Sequence, residues 1–214
     1  MSVVCPSITA PDLHTYRGQI EKVAHFAHRL HIDLTDGSFA KGAEIDPASL
    51  WWPVGLKADF HLMYDQPFDA VKAILQHQPN MIIVHAEAKG SFETIANFCR
   101  DHGIKVGVAL LPKTSPHIIE NALTKVDHAL IFSGNLGEYG GHADLDLLQK
   151  VKYLKEKKRE LEVGWDGGIN EQNIARLAEG GVDVFSVGGF IQHATDPEKA
   201  FRRLQRVADE VGST

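Results

Sequence analysis

The sequence predicts a (β/α)₈ barrel (TIM barrel) formed as a single domain over residues 1–214, and three observations carry that expectation. Short apolar, β-rich runs recur at residues 3–8, 30–34, 56–62, 81–85, 106–111, 129–132, 161–165 and 184–187, separated by amphipathic stretches with helical spacing. That alternation is the mark of βαβ units in a parallel sheet. Eight runs in 214 residues leave about 27 residues per unit, near the ~30 that a βαβ crossover needs, and the length lies within the range of about 200 to 400 in which eight units close. The first strand leads into Pro6-Ser7-Ile8-Thr9, where an open doubly wound sheet would carry a glycine fingerprint.

The elements follow in order. After the first strand, Leu13, Ile20 and Val23 mark a helix; Phe68, Val71, Ile74 and Leu75 mark the one after strand three. Leu145, Leu148, Val151 and Leu154 mark the one after strand six, and Ala200, Leu204 and Val207 the last. The five lysines within residues 150–158 read as a solvated helix face. Trp51-Trp52 before Pro53 reads as packing of a short helix against the barrel, with a subunit contact as the alternative.

Composition narrows the function. With 43% hydrophobic and 23% charged residues the chain is an ordinary globular one. A net charge of −6 provides no basic field for a nucleic acid or an anionic membrane surface. No apolar run approaches the ~18 residues of a spanning helix. The first residues, Met-Ser-Val-Val-Cys-Pro, lack the basic and apolar regions of a signal peptide. Cys5 and Cys99 are far apart in sequence and read as reduced, buried thiols. We therefore expect a cytoplasmic protein acting on a small molecule, with neither nucleic acid nor membrane as a partner; a homo-oligomer is also expected. Twelve histidines prompt a search for a metal site.

In a parallel barrel, chemistry sits at the carboxyl ends of the strands. Those ends carry Ser7, His31-Ile32-Asp33, His61, His85-Ala86-Glu87, Ser133, Asp166-Gly167-Gly168 and Gly188-Gly189, while the fifth, Leu110-Leu111-Pro112, has no ionisable group. His31 and Asp33 are two apart on one strand, so their side chains share a face. His61 and Asp166 reach the same mouth from other walls. Two imidazoles and two carboxylates suit one divalent ion, with Zn²⁺ favoured and Fe²⁺, Mn²⁺ or Co²⁺ as alternatives. Taken singly, each histidine reads as a satisfied core or surface residue; three strand-end residues together weaken that reading. His85 and Glu87 repeat the spacing, as a rival or a supporting pair. His14, His25, His28, His77, His102, His117, His128, His142 and His193 read as helix or loop residues without a role. Gly167, Gly168, Gly188 and Gly189, with Gly134, Gly137, Gly140 and Gly141 after strand six, either form tight turns or hold a phosphate on backbone N–H groups.

The stretches His31-Ile32-Asp33-Leu34-Thr35-Asp36-Gly37-Ser38-Phe39, His61-Leu62-Met63, Val84-His85-Ala86-Glu87 and Asp166-Gly167-Gly168-Ile169 resemble the ribulose-phosphate 3-epimerase family. Cys5-Pro6-Ser7-Ile8 resembles its first-strand motif, so the likeness runs over nearly the whole chain. The resemblance implies a barrel that binds a divalent metal through His31, Asp33, His61 and Asp166. It implies that Asp33 and Asp166 flank a ketose phosphate, most simply ribulose or xylulose 5-phosphate, and exchange the proton at C3. Ser7, His61 and Met63 would touch the substrate, and Gly137, Gly140, Gly141, Gly167, Gly168, Gly188 and Gly189 would hold its phosphate.

The chain departs from the family around these parts. Thr35 and Phe132 stand where the family places methionines. The loop from Ser133 to His142 lacks the family's proline, gains a residue and carries Glu138; Gly189 replaces a serine. The family's stretch after the second strand is replaced by Gly42-Ala43-Glu44-Ile45-Asp46-Pro47. Metal and acid–base parts are kept, while substrate-fitting parts change. Two alternatives therefore stay open: an epimerase of a hexulose 6-phosphate, and a silent barrel that binds a sugar phosphate. A lyase reading needs a D-x-K-x-x-D run on strand three, which instead reads Lys57-Ala58-Asp59-Phe60-His61.

Overall fold

Eight parallel strands close in sequence order in the computed structural model, which describes residues 2–42 and 45–212. They are β1 (Val3–Ile8), β2 (Arg29–Thr35), β3 (Lys57–Met63), β4 (Met81–His85), β5 (Lys105–Leu110), β6 (His128–Phe132), β7 (Glu162–Asp166) and β8 (Val184–Val187). Each lies within one residue of the run expected from sequence. Among the described residues seven α-helices surround the sheet: α1 (Leu13–Val23), α2 (Phe68–Leu75), α3 (Phe92–Asp101), α4 (Leu148–Lys157), α5 (Ile174–Glu179), α6 (Gly189–Gln192) and α7 (Pro197–Gly212). The alternation is less regular than the periodicity suggests. After β2 only a 3₁₀ turn, Pro47–Ser49, forms, and after β5 a 3₁₀ stretch, Pro116–Lys125, replaces the helix. Gly37, Gly42, Pro47, Pro53 and Gly55 explain the first case, because glycine loosens a helix and proline removes its donors.

Strand parity separates two interiors. Leu30, Ile32 and Leu34 of β2 join the large core between sheet and helices. Their neighbours Arg29, His31, Asp33 and Thr35 alternate to the inside of the barrel. A small apolar plug of Met81, Ile83, Ala109 and Leu130 fills the middle of that inside. Polar groups occupy its two ends. At the amino end, the Arg29 guanidinium spans Glu162 (2.7 and 2.9 Å) and Asp59 (2.5 Å), and His128 Nδ1 meets Glu162 Oε1 at 2.8 Å.

Two expectations are corrected here. His128 is not a loop residue: it opens β6 and is buried, because the polar base extends the strand one residue before its apolar run. The lysines of α4 are not all solvated. Lys150 is 5% exposed and donates to the Leu111 and Pro112 carbonyls at 2.7 and 2.8 Å, tying α4 to the end of β5. Lys158 likewise donates to Leu123 and Val126. Cys5 and Cys99 are free and buried, as expected, and burial pushes the Cys99 thiol up to about 12. Trp52 packs against Phe60, with ring centroids 5.3 Å apart. No helix among the described residues is long and apolar enough to cross a membrane. The expected departures at residues 43 and 44 lie outside the described residues.

Candidate active site

Register brings the expected side chains to one place. Ser7 of β1 pairs with His31 of β2, Asp33 with His61 of β3, and Phe132 of β6 with Asp166 of β7. His31, Asp33, His61 and Asp166 thereby present one nitrogen or oxygen each, all within 4.8 Å of one another. His31 Nε2 lies 3.2 Å from Asp33 Oδ1 and 3.6 Å from Asp166 Oδ2; His61 Nδ1 lies 2.9 and 3.7 Å from the same oxygens.

This donor set fits a divalent cation on two grounds. First, His31 Nε2 is buried and has no hydrogen-bond partner, despite its closeness to Asp33. An imidazole nitrogen left so is costly unless something outside the chain uses it. Second, the far side of His61 is arranged to free its Nδ1 lone pair. His61 Nε2 meets His85 Nε2 at 2.8 Å, and His85 Nδ1 meets Glu87 Oε2 at 3.3 Å. If His61 Nε2 donates, His85 must accept there and donate from Nδ1 to Glu87. Burial, with Glu87 opposing and His61 assisting, lowers His85 to about 4, which keeps it neutral as this chain requires. Such carboxylate–imidazole support is how a ligating histidine is commonly oriented. Glu87 also accepts from the Leu111 N–H at 3.0 Å. The His85–Glu87 pair is therefore not a rival cluster but stands behind His61.

The site's electrostatics call for positive charge. Burial works against protonation of His31, yet Asp33 and Asp166 overcome it and raise His31 to about 10. Asp33 is held well below the usual carboxylate range chiefly by His31, against the cost of burial.

A cavity of about 370 Å³ opens beside the cluster. Asp33, Asp166, Ser7 and Met63 line it, as do all seven glycines expected to hold a phosphate: Gly137, Gly140, Gly141, Gly167, Gly168, Gly188 and Gly189. His31 and His61 do not; both sit behind the carboxylates. Gly167, at φ 110°, is explained by close approach, since a Cβ there would fall 2.2 Å from the Gly134 nitrogen. At Gly188 a Cβ would strike the Tyr139 ring at 2.4 Å. Thr35, by contrast, turns into its own loop, donating to the Ala40 carbonyl at 2.6 Å. Phe132 lies against the imidazoles, its ring centroid 6.0 Å from His61 and 6.3 Å from His85.

Sequence reasoning missed several lining residues, among them His193, which was expected to have no role; two of them bear on Asp33. Thr9, just past β1, donates from Oγ1 to Asp33 Oδ2 at 2.6 Å. Tyr139 reaches back from the loop after β6, and its hydroxyl accepts from the Thr9 N–H at 2.9 Å and lies 2.7 Å from Gln19 Oε1. Thr9 could have been found by continuing the inward alternation of Cys5 and Ser7 by one step. Nothing local in the sequence marks Tyr139.

Comparison with known proteins adds an independent line. The model of the ribulose-phosphate 3-epimerase family matches residues 3–192. Ribulose-phosphate 3-epimerase of Helicobacter pylori strain J99 is 32% identical over 214 residues, covering 95% of this chain and 97% of that protein. The protein of that name from Bacillus subtilis is 29% identical over 215 residues, covering 96% and 99%. Among solved structures, KGPDC from Streptococcus mutans superposes with a TM-score of 0.74 at 15% identity, covering 99% of each chain. The 3-hexulose-6-phosphate synthase from Salmonella typhimurium gives 0.71 at 15%, covering 98% and 99%. At that identity the two structures support the barrel fold alone.

Proposed function

Because this chain belongs to the ribulose-phosphate 3-epimerase family, we propose that it interconverts ribulose 5-phosphate and xylulose 5-phosphate by inverting C3. It is accordingly an isomerase, a carbohydrate epimerase. The observation that carries the reaction is the pair of carboxylates, Asp33 from β2 and Asp166 from β7, lining one cavity beside two imidazoles.

Inversion beside a carbonyl needs a base on one face of C3 and an acid on the other. One of Asp33 and Asp166 takes the C3 proton, leaving an enediolate, and the other delivers its own proton to the opposite face. The C3–H bond that breaks is thus replaced by one of opposite configuration, and the two carboxyl groups exchange roles for the next turnover. One divalent ion, Zn²⁺ by preference and Fe²⁺, Mn²⁺ or Co²⁺ as alternatives, would be held by His31, Asp33, His61 and Asp166. When bound, it supplies positive charge that stabilises the enediolate. Ser7 and Met63 would contact the sugar, and the glycines after β6, β7 and β8 its phosphate. The same reading makes the protein a cytoplasmic homo-oligomer.

Incubating the metal-loaded protein with ribulose 5-phosphate in deuterated water tests the reaction. Deuterium should enter at C3 and xylulose 5-phosphate should form; a metal-replete protein that leaves C3 unexchanged overturns the reading.

A further inference from the structure

The two oxygens of Asp33 are held by different parts of the molecule. Oδ1 faces the imidazoles, 2.9 Å from His61 Nδ1 and 3.2 Å from His31 Nε2. Oδ2 accepts from the Thr9 hydroxyl at 2.6 Å, the length of a charge-assisted O–H···O⁻ bond. We propose that Thr9 is a positioning residue that fixes which oxygen of Asp33 handles the substrate proton; this rests on the epimerase reading above.

An aspartate's terminal torsion is broad and roughly two-fold, so packing alone leaves its carboxylate loosely oriented. A hydroxyl on Oδ2 removes that freedom. It also leaves a vacancy where one is needed. Each carboxylate oxygen accepts at about two positions, so Thr9 takes one on Oδ2 and leaves the other for the cavity that both residues line. Oδ1 stays committed to the imidazole side. Proton transfer depends steeply on such placement, and a displacement of about 1 Å is enough to cost ~100-fold.

Thr9 can impose a direction because its own backbone is held from two elements. Gln19 of α1 accepts from the Thr9 N–H at 3.1 Å and donates from Nε2 to the Thr9 carbonyl at 3.1 Å. The Tyr139 hydroxyl, from the loop after β6, also accepts from that N–H. Tyr139 packs edge-on against His193, with centroids 5.5 Å apart, and covers Gly188. The residue that orients the carboxylate is thus anchored by the loop that borders the opposite, glycine-rich end of the cavity.

The test uses Thr9→Val, which keeps the shape and removes the hydroxyl, and Thr9→Ser, which restores it. Thr9→Ala repeats the test without a branched side chain should valine disturb folding. In the metal-loaded full-length protein, Thr9→Val should lower kcat by about 10- to 100-fold, change KM by less than threefold, and leave metal content unaltered; Thr9→Ser should recover at least half of the wild-type kcat. A second readout needs no turnover. With Co²⁺ in the site and no substrate, Thr9→Val should shift the visible absorption, because the released Oδ2 is free to swing toward the ion, while Thr9→Ser should match the wild type. A kcat for Thr9→Val within twofold of wild type, a lowered kcat that serine does not recover, or an unchanged cobalt spectrum each overturns the proposal while leaving the epimerase reading intact. Absence of C3 exchange in the wild type overturns both.

Discussion

The two ends of the barrel each bury a group of charges, and they balance them in opposite ways. At the amino end the balance is internal: Asp59 and Glu162 share the Arg29 guanidinium, and Asn80 and His128 take further carboxylate oxygens. At the carboxyl end Asp33 and Asp166 meet imidazoles, and the cavity they line holds no lysine or arginine among the described residues. Neutral imidazoles cannot neutralise carboxylates, so the mouth draws a proton onto His31. A buried charge group completed within the chain is costly to break, whereas one left to be completed from outside marks a candidate binding site. His128 Nε2, buried and unpartnered, is the one loose atom among the base groups just named.

The largest effect should come from breaking the mouth. Asp33→Asn and Asp166→Asn each remove an acid–base group and should lower turnover by about 10²–10⁴-fold. In the metal-free protein Asp33→Asn should also lose some stability, because His31 and His61 favour the charged Asp33 carboxyl. Metal content must be measured alongside, since both residues would also bind the ion. Turnover surviving in either metal-loaded variant means that carboxylate is neither acid nor base.

Next in size is the metal itself. Elemental analysis of protein prepared without chelator should find about one divalent ion per chain. His61→Ala should sharply reduce occupancy, and His85→Ala, acting through His61 Nε2, should weaken affinity by about 10- to 100-fold. Full occupancy in His61→Ala would remove that residue from the ligand set. Unchanged affinity in His85→Ala would reduce the His85–Glu87 pair to packing.

The barrel was legible because outward-facing strand residues are apolar and, in β4, β5 and β6, the inward plug of Met81, Ile83, Ala109 and Leu130 is apolar too, which makes runs that sequence displays directly. The site was legible for the same reason in reverse: His31, Asp33, His61 and Asp166 are polar where apolar residues would pack, at strand ends whose place in a barrel is known. What escaped notice depends on tertiary approach. Thr9 gains its role only because β1 and β2 are neighbours. Tyr139 lies 130 residues from the N–H it accepts. Lys150 shares a helix with the exposed Lys152 and differs from it in facing the Leu111 and Pro112 carbonyls just past β5. His128 was set apart from its strand because a charged partner, Glu162 on β7, does there what an apolar neighbour does elsewhere.

Breaking the base should give a smaller effect, of the opposite kind. Burial would raise the Glu162 carboxyl, but hydrogen bonds from His128 and Arg29 hold it well below its ordinary value of 4.5. A group depressed in the folded state contributes stability above its unfolded value and loses that contribution as pH falls through the window beneath it. The wild type should therefore lose stability progressively below about pH 4.5, and Glu162→Gln should flatten that part of the profile. At pH 7 the variant should be less stable by about 2 kcal/mol, below the 3–5 of a fully buried pair, because the Glu162 side chain is 34% exposed. Its kcat should match the wild type. A stability profile indifferent to Glu162 would show that Arg29 is satisfied by Asp59 alone.

The smallest effect lies at the glycine-rich side of the mouth, where the comparison is least favourable to binding. Glu138 lines the cavity and is exposed, so an acid borders the place where a phosphate dianion is expected. Solvent screens such a pair, and the repulsion should weaken binding by no more than about 1 kcal/mol, near fivefold in KM. Glu138→Phe should lower KM for ribulose 5-phosphate by up to that factor at low salt and by less at high salt, with kcat unchanged. A panel including hexulose 6-phosphates separates two meanings of the altered lining. If Phe132 and Glu138 merely weaken pentulose binding, all ketose phosphates should shift together in the variant. If they select a longer substrate, a hexulose 6-phosphate should have the higher kcat/KM in the wild type and should lose that advantage when Glu138 is replaced. Ordinary efficiency on ribulose 5-phosphate, unimproved in Glu138→Phe, would mean that Glu138 turns outward and that the phosphate end of the mouth, like the base, is already balanced without it.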